Sequence, residues 1–379
     1  MDLVFGRAYT SERRPIRHLD PLLLLTTAAL CVVSLLTVYS ATYKSLQEFG
    51  ADPGTYFKRQ LTWIALGVVV MLLSATFDYR FVKVYAGFAY AGMLALLILV
   101  RTPLGSSTAG AQRWFELFGF QFTPSEFMKI ALIAMLAAYL SELKGTELRL
   151  EDVFRATAIA ALPTLLVFLQ PDVGTSIVLS AILVGVLIVA GAKARYLGVL
   201  ALSAIILIFG AFQLGVIKDY QVARLTSFLD PQNDPRQAGY NRTQAEIAIG
   251  SGGITGLGYK QGTQTNLDFV PEQHTDFIFT VVGEEFGFVG GVIVLLLFAV
   301  LLWRAFRIAI LSKDPFGTYV AAGIASMLAI QVFVNIGMTI GIMPITGIPL
   351  PFISYGGSAM IADFLAVGLL LNVHMRRFK

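Results

Sequence analysis

Cysteine and histidine are nearly absent from this chain. Cys31 is the single cysteine, and only three histidines occur among 379 residues. One cysteine excludes an internal disulfide and a cysteine metal cluster, and three scattered histidines disfavour a histidine-rich metal site. The sequence therefore predicts no metal centre of these kinds.

Charged residues are also scarce. They make up 14% of the chain, whereas apolar types make up 56%. The length would suit two soluble domains, but this balance is typical of a polytopic membrane protein. The net charge of +4 follows membrane topology, so it indicates no nucleic-acid partner.

Nucleotide-binding motifs are missing as well. The glycine-rich run at 250–258 matches neither G-x-G-x-x-G nor G-x-x-x-x-G-K-S/T. It is either a flexible lid over an outer cavity or an irregular loop, and the sequence leaves both open. The segment before it, 244–249, predicts a short interfacial helix.

Ten apolar runs are long enough to cross about 30 Å of hydrocarbon at ~1.5 Å per residue. They lie at 20–42, 60–77, 82–101, 124–141, 154–170, 174–191, 195–216, 276–303, 316–340 and 353–374. The sequence predicts an all-α polytopic membrane protein of about ten transmembrane helices. A tail at 1–19 precedes one transmembrane domain at 20–379, with a long extracytoplasmic loop at 217–275 between helices 7 and 8.

Basic residues set the predicted orientation. With a cytoplasmic N-terminus, most of the 28 lysines and arginines fall in inner segments, as the positive-inside rule requires. Both termini are then cytoplasmic. Asp276, the turn at 170–175 and the loop at 345–357 lie on the outer face, so the sequence predicts an outward-facing site.

Asp276 stands where the long polar loop ends and the eighth apolar run begins. We expect a helix from Asp276 to about Leu302, capped by Thr275 or Asp276. On a helical wheel, small residues share the face of Asp276: Thr280, Gly283, Gly287 and Gly290. This strip predicts either close helix packing or a groove that holds an acyl chain beneath the carboxylate. Helix capping alone is the structural alternative for Asp276.

Lys129 is a cation placed inside the fourth apolar run. Thr123-x-x-Glu126, with Pro124 at the first helical position, predicts a capping box. Lys129 lies deeper, where a cation needs a cavity, an anion or a carboxylate partner. Glu126 can be that partner, or Arg113 and Lys129 bind an anion together. The sequence leaves both readings open.

Several other acids lie near the outer face. Asp172 is a candidate cap for the sixth run, while Glu284 and Glu285 lie deep enough to be protonated, paired or exposed to an aqueous cavity. Asp172, Glu126 and Asp276 can supply oxygen ligands, so a divalent cation stays open. The loop at 345–358 is irregular backbone, which we expect to border the same cavity as Asp276.

These motifs occur together and in a fixed order: 274–279 with Gly283-Glu284-Glu285, Arg113-Trp114, Pro124-Ser125-Glu126 with Lys129, 170–175, and 347–358. Together they resemble the SEDS family, bacterial membrane proteins of shape, elongation, division and sporulation. The resemblance runs from the first span to the C-terminus. It is closer to the elongation branch, RodA, than to the division branch, FtsW.

The resemblance implies a peptidoglycan glycosyltransferase of the bacterial cytoplasmic membrane. Such an enzyme polymerises lipid II into a glycan strand on the outer face and releases undecaprenyl pyrophosphate. Asp276 matches the family's essential aspartate, and Glu126 and Lys129 match functionally important positions. We expect Asp276 to be the general base and the substrate to be bound by Arg113, Glu126, Lys129, Asp172, Thr275, Ser354 and Tyr355.

The resemblance also implies a partner, a single-pass class B penicillin-binding protein that crosslinks the glycan. We expect its helix to pack on the eighth and ninth spans, where glycines allow close approach: Gly287, Gly290, Gly291, Gly317 and Gly323. No cofactor is expected with certainty.

Two other classes of function compete with the enzyme. A transporter that flips lipid II without chemistry also suits intramembrane acids and a cavity. A scaffold that only positions another wall enzyme gives Lys129 and Asp276 no role. Clustering of the candidate residues on one face, and not at the midplane, favours the enzyme.

Overall fold

The computed structural model describes residues 19–108, 111–117, 120–143, 148–213 and 238–377. The predicted cytoplasmic tail at 1–19 lies almost wholly outside the described residues. So does the first part of the predicted outer loop, 217–237.

The described chain forms twelve helices and three short strands. The helices are α1 Pro21–Glu48, α2 Thr55–Thr76, α3 Tyr79–Leu99, α4 Pro124–Glu142, α5 Leu150–Phe168, α6 Val173–Val189, α7 Ala194–Gln213, α8 Ala238–Ser251, α9 Thr263–Asn266, α10 Ile278–Ile310, α11 Pro315–Thr339 and α12 Gly357–Arg376. The strands are β1 Ser106–Thr108, β2 Ala111–Leu117 and β3 Phe120–Phe122.

Each of the ten predicted apolar runs coincides with one long helix. Seven of them, α1 to α4 and α10 to α12, are long and apolar enough to cross a membrane. The apolar stretches in α6 and α7 are shorter, and α5 carries Glu151, Asp152 and Arg155 near its start. The predicted helical, multi-span membrane protein is confirmed, while the count of ten spans stays a prediction.

The loop between α3 and α4 was not predicted to contain strands. It forms a three-stranded antiparallel sheet of order β1-β2-β3, in which Phe115 pairs with Phe122. The sheet is fixed to the start of α12, because the Ser358 hydroxyl donates to the Gln121 carbonyl at 2.6 Å. The Phe120 ring also lies 5.0 Å from the Trp63 ring of α2. Strand β2 carries Arg113.

Burial separates the central helices from the lipid-facing ones. In α12 and α11, 89% and 78% of the most apolar window is buried, against 11% in α3. Helices α11 and α12 therefore form the centre of the bundle, and the turn that contains Ser354 and Tyr355 connects them.

Helix α10 is broken at Gly287, which has φ 64° and ψ −161°. The glycine-rich run supplies the missing backbone partners. The N–H groups of Leu257 and Gly258 donate to the carbonyls of Glu284 and Glu285 at 3.0 and 3.1 Å. Across the break, Phe288 and Val289 donate to the carbonyls of Gly253 and Ile254 at 2.9 and 3.1 Å. The run is therefore an irregular loop, as one of the two interpretations predicts, and its backbone is hydrogen-bonded to α10 on both sides of the break.

The small-residue strip below Asp276 is filled by the chain itself. A Cβ at Gly283 would lie 2.9 Å from Ile249 of α8, and one at Gly287 would lie 2.3 Å from the Gly256 nitrogen. The predicted acyl-chain groove at these glycines is therefore wrong. The predicted interfacial helix at 244–249 forms as part of the longer α8.

The glycines expected to receive a partner helix are mostly used within the chain. Gly323 packs on Ile133 and Val186, Gly317 lies near Ser312 and Val373, and Gly287 is covered by the glycine-rich run. The prediction that these three glycines let the helix of a penicillin-binding protein approach closely is therefore wrong. Gly290 and Gly291 remain half-buried on α10.

Candidate active site

Asp276 lies two residues before α10, in the turn that leads into it. The helix begins at Ile278 and its cap position is Phe277. The predicted cap at Thr275 or Asp276 is therefore wrong. The Thr275 hydroxyl instead donates to the Glu272 carbonyl at 3.1 Å. Asp276 is half-buried, and its N–H donates to the Glu272 carbonyl at 3.0 Å.

The turn at 345–356 packs directly against this segment. The Ser354 hydroxyl donates to the Thr275 carbonyl at 2.6 Å, and the Tyr355 N–H donates to the His274 carbonyl at 3.0 Å. Gly347 has φ +72°, and a Cβ there would lie 3.0 Å from Asp276 Oδ2. The loop therefore lies beside Asp276, and a side chain at position 347 would press on the carboxylate. That the loop and Asp276 border one cavity stays a prediction.

Polar side chains from three helices hold this turn from below. Ser34 of α1 donates to the Ile353 carbonyl at 2.8 Å, and Gln60 of α2 donates to Ser34 Oγ at 2.9 Å. The Phe352 N–H donates to Asp363 Oδ2 of α12 at 3.4 Å. Phe352 has φ +62°, a conformation that L-residues adopt only when surrounding contacts impose it. These contacts fix the shape of the turn.

Asn335 of α11 ties the two segments to each other. Its Nδ2 donates to the Asp276 carbonyl at 2.8 Å and to the Ile348 carbonyl at 2.7 Å. The sequence reading missed Asn335, Gln60 and Asp363. The available signal was a polar residue inside an apolar run, which in a membrane protein marks a cavity, a partner or a site.

An aromatic cluster closes the site on the α2 side. The His274 ring lies 5.0 Å from Tyr56 and 5.6 Å from Tyr355, and the two tyrosine rings are 4.9 Å apart. Burial lowers the pKa of His274, although the charges of Glu272 and Asp268 act in the opposite direction. The lowered pKa favours the neutral imidazole of His274, two residues from Asp276.

Glu126 and Lys129 form a buried ion pair at the start of α4. Lys129 Nζ lies 2.6 Å from Glu126 Oε2, and the lysine is 1% exposed. The predicted capping box is wrong, because the Thr123 N–H donates to Ser358 Oγ at 3.0 Å and the Glu126 carboxylate accepts from Lys129. Both charges lie within electrostatic reach of Asp363. The ion-pair reading is confirmed, and anion binding by Lys129 stays a prediction.

Arg113 and Asp172 meet at the turn between α5 and α6. The Arg113 guanidinium donates to the carbonyls of Gln170, at 3.0 Å, and of Pro171. Asp172 caps α6, accepting from the Thr175 N–H at 3.0 Å and from its hydroxyl at 2.9 Å. A Cβ at Gly174 would lie 2.9 Å from the Thr346 carbonyl, so this turn packs on the loop that faces Asp276.

The candidate residues therefore fall into three adjoining groups. Thr275, Asp276, Ser354 and Tyr355 come together directly. The turn that Arg113 and Asp172 share packs on the loop at 346–348, which faces Asp276. The charges of Glu126 and Lys129 act on Asp363, which holds the turn at Phe352. Within the described ranges no three His, Cys, Asp or Glu side chains converge to hold a metal ion. Asp172, Glu126 and Asp276 thus do not form a shared ligand set there.

Glu284 anchors the preceding loop to α10, and Glu285 joins α10 to α1. The Glu284 carboxylate accepts from the N–H groups of Gln264 and Thr265 at 2.7 and 2.9 Å, and from the Thr265 hydroxyl at 2.6 Å. Glu285 accepts from the Ser40 hydroxyl of α1. Both acids are buried and hydrogen-bonded to neutral donors, while their protonation stays a prediction.

Lys260 fixes the same loop to α1. Its ammonium lies 3.8 Å from the centre of the Tyr43 ring and 4.2 Å from that of Tyr39, a cation–π arrangement. The loop that precedes Asp276 is therefore attached to both α1 and α10. This attachment adds to the contacts that define where the Asp276 segment lies.

The family is decided by a match along nearly the whole chain. The family model of the FtsW, RodA and SpoVE cell cycle proteins matches residues 21–379. The chain belongs to this family. The family predicted from the sequence, SEDS, is thereby confirmed.

The relatives agree with this assignment. Peptidoglycan glycosyltransferase MrdB of Escherichia coli is 40% identical over 368 residues, which are 95% of this chain and 94% of that protein. A chain solved in a study of polymerization and crosslinking by a peptidoglycan synthase complex is 31% identical, with a TM-score of 0.79. The match covers 95% of this chain and 99% of that one.

The rod shape determining protein RodA of Thermus thermophilus has a similar structure. It is 30% identical with a TM-score of 0.69, and the match covers 95% of this chain and 98% of that one. These relatives support the predicted enzyme class, peptidoglycan glycosyltransferase, over a transporter. They also agree with the resemblance to the elongation branch.

Proposed function

We propose that this chain polymerises lipid II on the outer face of the bacterial cytoplasmic membrane, with Asp276 as the general base. The observation that carries this proposal is how Asp276 is held. Its carboxylate is half-buried, while the carbonyls of Thr275 and Asp276 accept from Ser354 and Asn335 at 2.6 and 2.8 Å. A general base needs a fixed position and access to the proton it takes, and this arrangement offers both.

The reaction is a single displacement at a sugar carbon. A hydroxyl of the acceptor sugar attacks the anomeric carbon of the donor, and Asp276 takes the hydroxyl proton. The bond from that carbon to the pyrophosphate oxygen breaks, and undecaprenyl pyrophosphate leaves with the electron pair. Attack from the face opposite the leaving group inverts the configuration. A positioned base contributes a rate factor of about 10²–10⁴.

Cations near Asp276 offset the charge that develops on the pyrophosphate. Arg113 is half-buried beside the α5–α6 turn, and Lys129 is buried one group away. We assign Arg113 to direct contact and Lys129 to stabilisation through its field, because fixed charges in a site with little water act strongly on developing charge. Tyr355 and Thr275 are half-buried and line the approach to Asp276.

The substitution Asp276→Asn tests the base. Asparagine keeps the shape of the side chain and cannot accept the proton, so glycan ladders from fluorescent lipid II should disappear while melting temperature and lipid II binding change little. Asp268→Asn is the matched control, since Asp268 is an exposed acid of the same loop with φ +54°, a conformation that asparagine tolerates. An Asp276→Asn protein that polymerises at near the wild-type rate would remove Asp276 from the mechanism.

We also propose a class B penicillin-binding protein as partner, docked through its membrane helix on the eighth and ninth spans, α10 and α11. Support comes from the family and from the outward face of α10. There the half-buried Gly290 and Gly291 lie beside Ile293 and Leu296, which are 51% and 60% exposed. Small residues next to exposed large ones let a second helix approach closely.

Photo-crosslinking tests this docking face. A crosslinker at Ile293 should capture the transpeptidase's membrane helix in cells, whereas one at Phe88 of α3 should not. Phe88 is a suitable control because it is 78% exposed on a different helix. Capture from Phe88 with none from Ile293 would place the partner on the wrong side of the bundle for this proposal.

A further inference from the structure

Asn335 is a fully buried amide between two segments of irregular backbone. It is 0% exposed, and both of its hydrogen-bond partners are main-chain carbonyls, those of Asp276 and Ile348. Two acceptors require the amide nitrogen at this place, so the orientation of the side chain follows from its partners. The amide acts here as a double donor.

The geometry points to Asn335 as a positioning residue for Asp276. One of its bonds fixes the main chain of Asp276 itself. The other fixes Ile348, the neighbour of Gly347, whose missing side chain leaves room for Asp276 Oδ2. Both bonds start from one nitrogen, so they set the separation between the carboxylate and the turn that faces it. This inference rests on the proposed role of Asp276 as the base.

The surroundings make Asn335 hard to replace. Without it, the buried carbonyl of Ile348 and the partly buried carbonyl of Asp276 lose their donor, and the two segments can move apart to let water replace it. Ser354 would still hold Thr275, so the segment would shift without coming loose. Displacement of a reacting group by about 1 Å costs on the order of 10²-fold in rate. The expected defect is therefore in turnover.

The other end of the bundle offers a matched control. Asn372 of α12 is 1% exposed, and its Nδ2 donates to the carbonyls of Ser74, at 2.6 Å, and Phe77. The donor side matches that of Asn335, one buried amide nitrogen and two main-chain carbonyls, while Asn372 Oδ1 also accepts from Arg376 Nε at 2.7 Å. Its partners lie at the end of α2 on the predicted cytoplasmic side, Ser74 within the helix and Phe77 at its C-cap, far along the bundle from the Asp276 segment. Removing Asn372 tests the loss of such a clamp without disturbing the base.

The experiment compares Asn335→Leu and Asn372→Leu in the full-length protein, with fluorescent lipid II as substrate and Asp276→Asn measured alongside. Both leucine variants should lose thermal stability to a similar degree. Asn335→Leu should lower kcat about 10²-fold with KM changed less than about threefold, whereas Asn372→Leu should keep wild-type kcat per folded molecule. If Asn335→Leu does not fold, Asn335→Ser and Asn372→Ser are compared in the same way.

Each result decides between the two proposals. If Asp276→Asn is inactive and Asn335→Leu keeps its kcat as Asn372→Leu does, Asn335 is a structural residue only and the base assignment stands. If Asp276→Asn remains active, the base assignment fails and the positioning role fails with it. Loss of kcat at Asn335 alone, with Asp276→Asn inactive, supports both.

Discussion

The two ends of the bundle use the same chemistry for different purposes. At the predicted cytoplasmic end, Arg304 Nε donates to Asp20 Oδ2 at 2.8 Å, and Asn372 holds two carbonyls. At the outer end, Lys129 pairs with Glu126, and Asn335 holds two carbonyls. Each end therefore contains one buried ion pair and one buried amide clamp. Burial and pairing alone do not tell which end is the site.

What differs is the backbone to which these groups attach. At the inner end, three aspartates are N-caps: Asp20 of α1, Asp78 of α3 and Asp314 of α11. Each side chain accepts a hydrogen bond from a backbone N–H in the first turn of its own helix. At the outer end, Asn335 binds irregular backbone that carries a half-buried acid, and Asp363 binds the turn opposite it. Polar groups that complete helix ends stabilise the fold, whereas polar groups that shape irregular backbone place reactive side chains.

The largest expected effect separates the two ion pairs. Lys129→Met and Arg304→Met each break a buried pair, so each should lower the free energy of unfolding by about 3–5 kcal/mol. Lys129→Met should in addition lower turnover per folded molecule about 10²–10³-fold, because in the proposed mechanism its charge acts on the departing pyrophosphate. Arg304→Met should leave that turnover unchanged. Glycan synthesis normalised to folded protein measures the difference.

A double substitution distinguishes charge stabilisation from pairing. Glu126→Gln combined with Lys129→Met removes both charges of the outer pair and should recover part of the lost stability without recovering turnover. If stability and turnover return together, the Glu126–Lys129 pair is structural only, and it then does not differ in role from the Asp20–Arg304 pair at the other end.

A smaller effect is expected at two glycines with positive φ. Gly347 at the outer end and Gly191 between α6 and α7 have φ +72° and φ +83°. Alanine at either position should cost about 1–2 kcal/mol of stability, because L-residues rarely adopt this conformation. Gly347→Ala should also lower kcat about tenfold by pushing on Asp276, since smaller displacements cost less than a full ångström.

Gly191→Ala is the control for strain, because a Cβ at Gly191 would meet no atom within 4 Å. Gly191→Ala should have a lower melting temperature than the wild-type protein and should polymerise lipid II at the wild-type rate. Equal kcat values for the two alanine variants would mean that contact with Gly347 does not set the position of Asp276.

The fold could be read from the sequence wherever the information is local. Apolar length located each long helix, with ends that differ by up to seven residues, as at Ile310 against the predicted 303, and Pro124 marks the start of α4 as expected. The cap of α6 by Asp172 could also be predicted, because a cap and its helix are neighbours in the chain. The motifs taken together identified the family, and the one at 274–279 singled out Asp276, without any knowledge of their contacts.

The predictions from sequence were wrong or incomplete where the interacting residues are distant in the chain. The spacing of Thr123 and Glu126 fits a capping box, but Lys129 and Ser358 take the two groups it needs. Nothing local predicts that Asn335 meets Asp276, 59 positions away. The break at Gly287 depends on a loop some 30 residues earlier, whose backbone replaces the helix's own hydrogen bonds.

That break also bears on how the protein is assembled. In hydrocarbon an unpaired backbone group costs several kcal/mol, so a helix broken at Gly287 is a poor membrane segment by itself. Its missing partners, 253–258, come earlier in the chain and are therefore synthesised before α10. Insertion of the eighth span and folding of the loop that precedes it are thus coupled, and the order of translation supplies the hydrogen-bond partners before the helix that needs them.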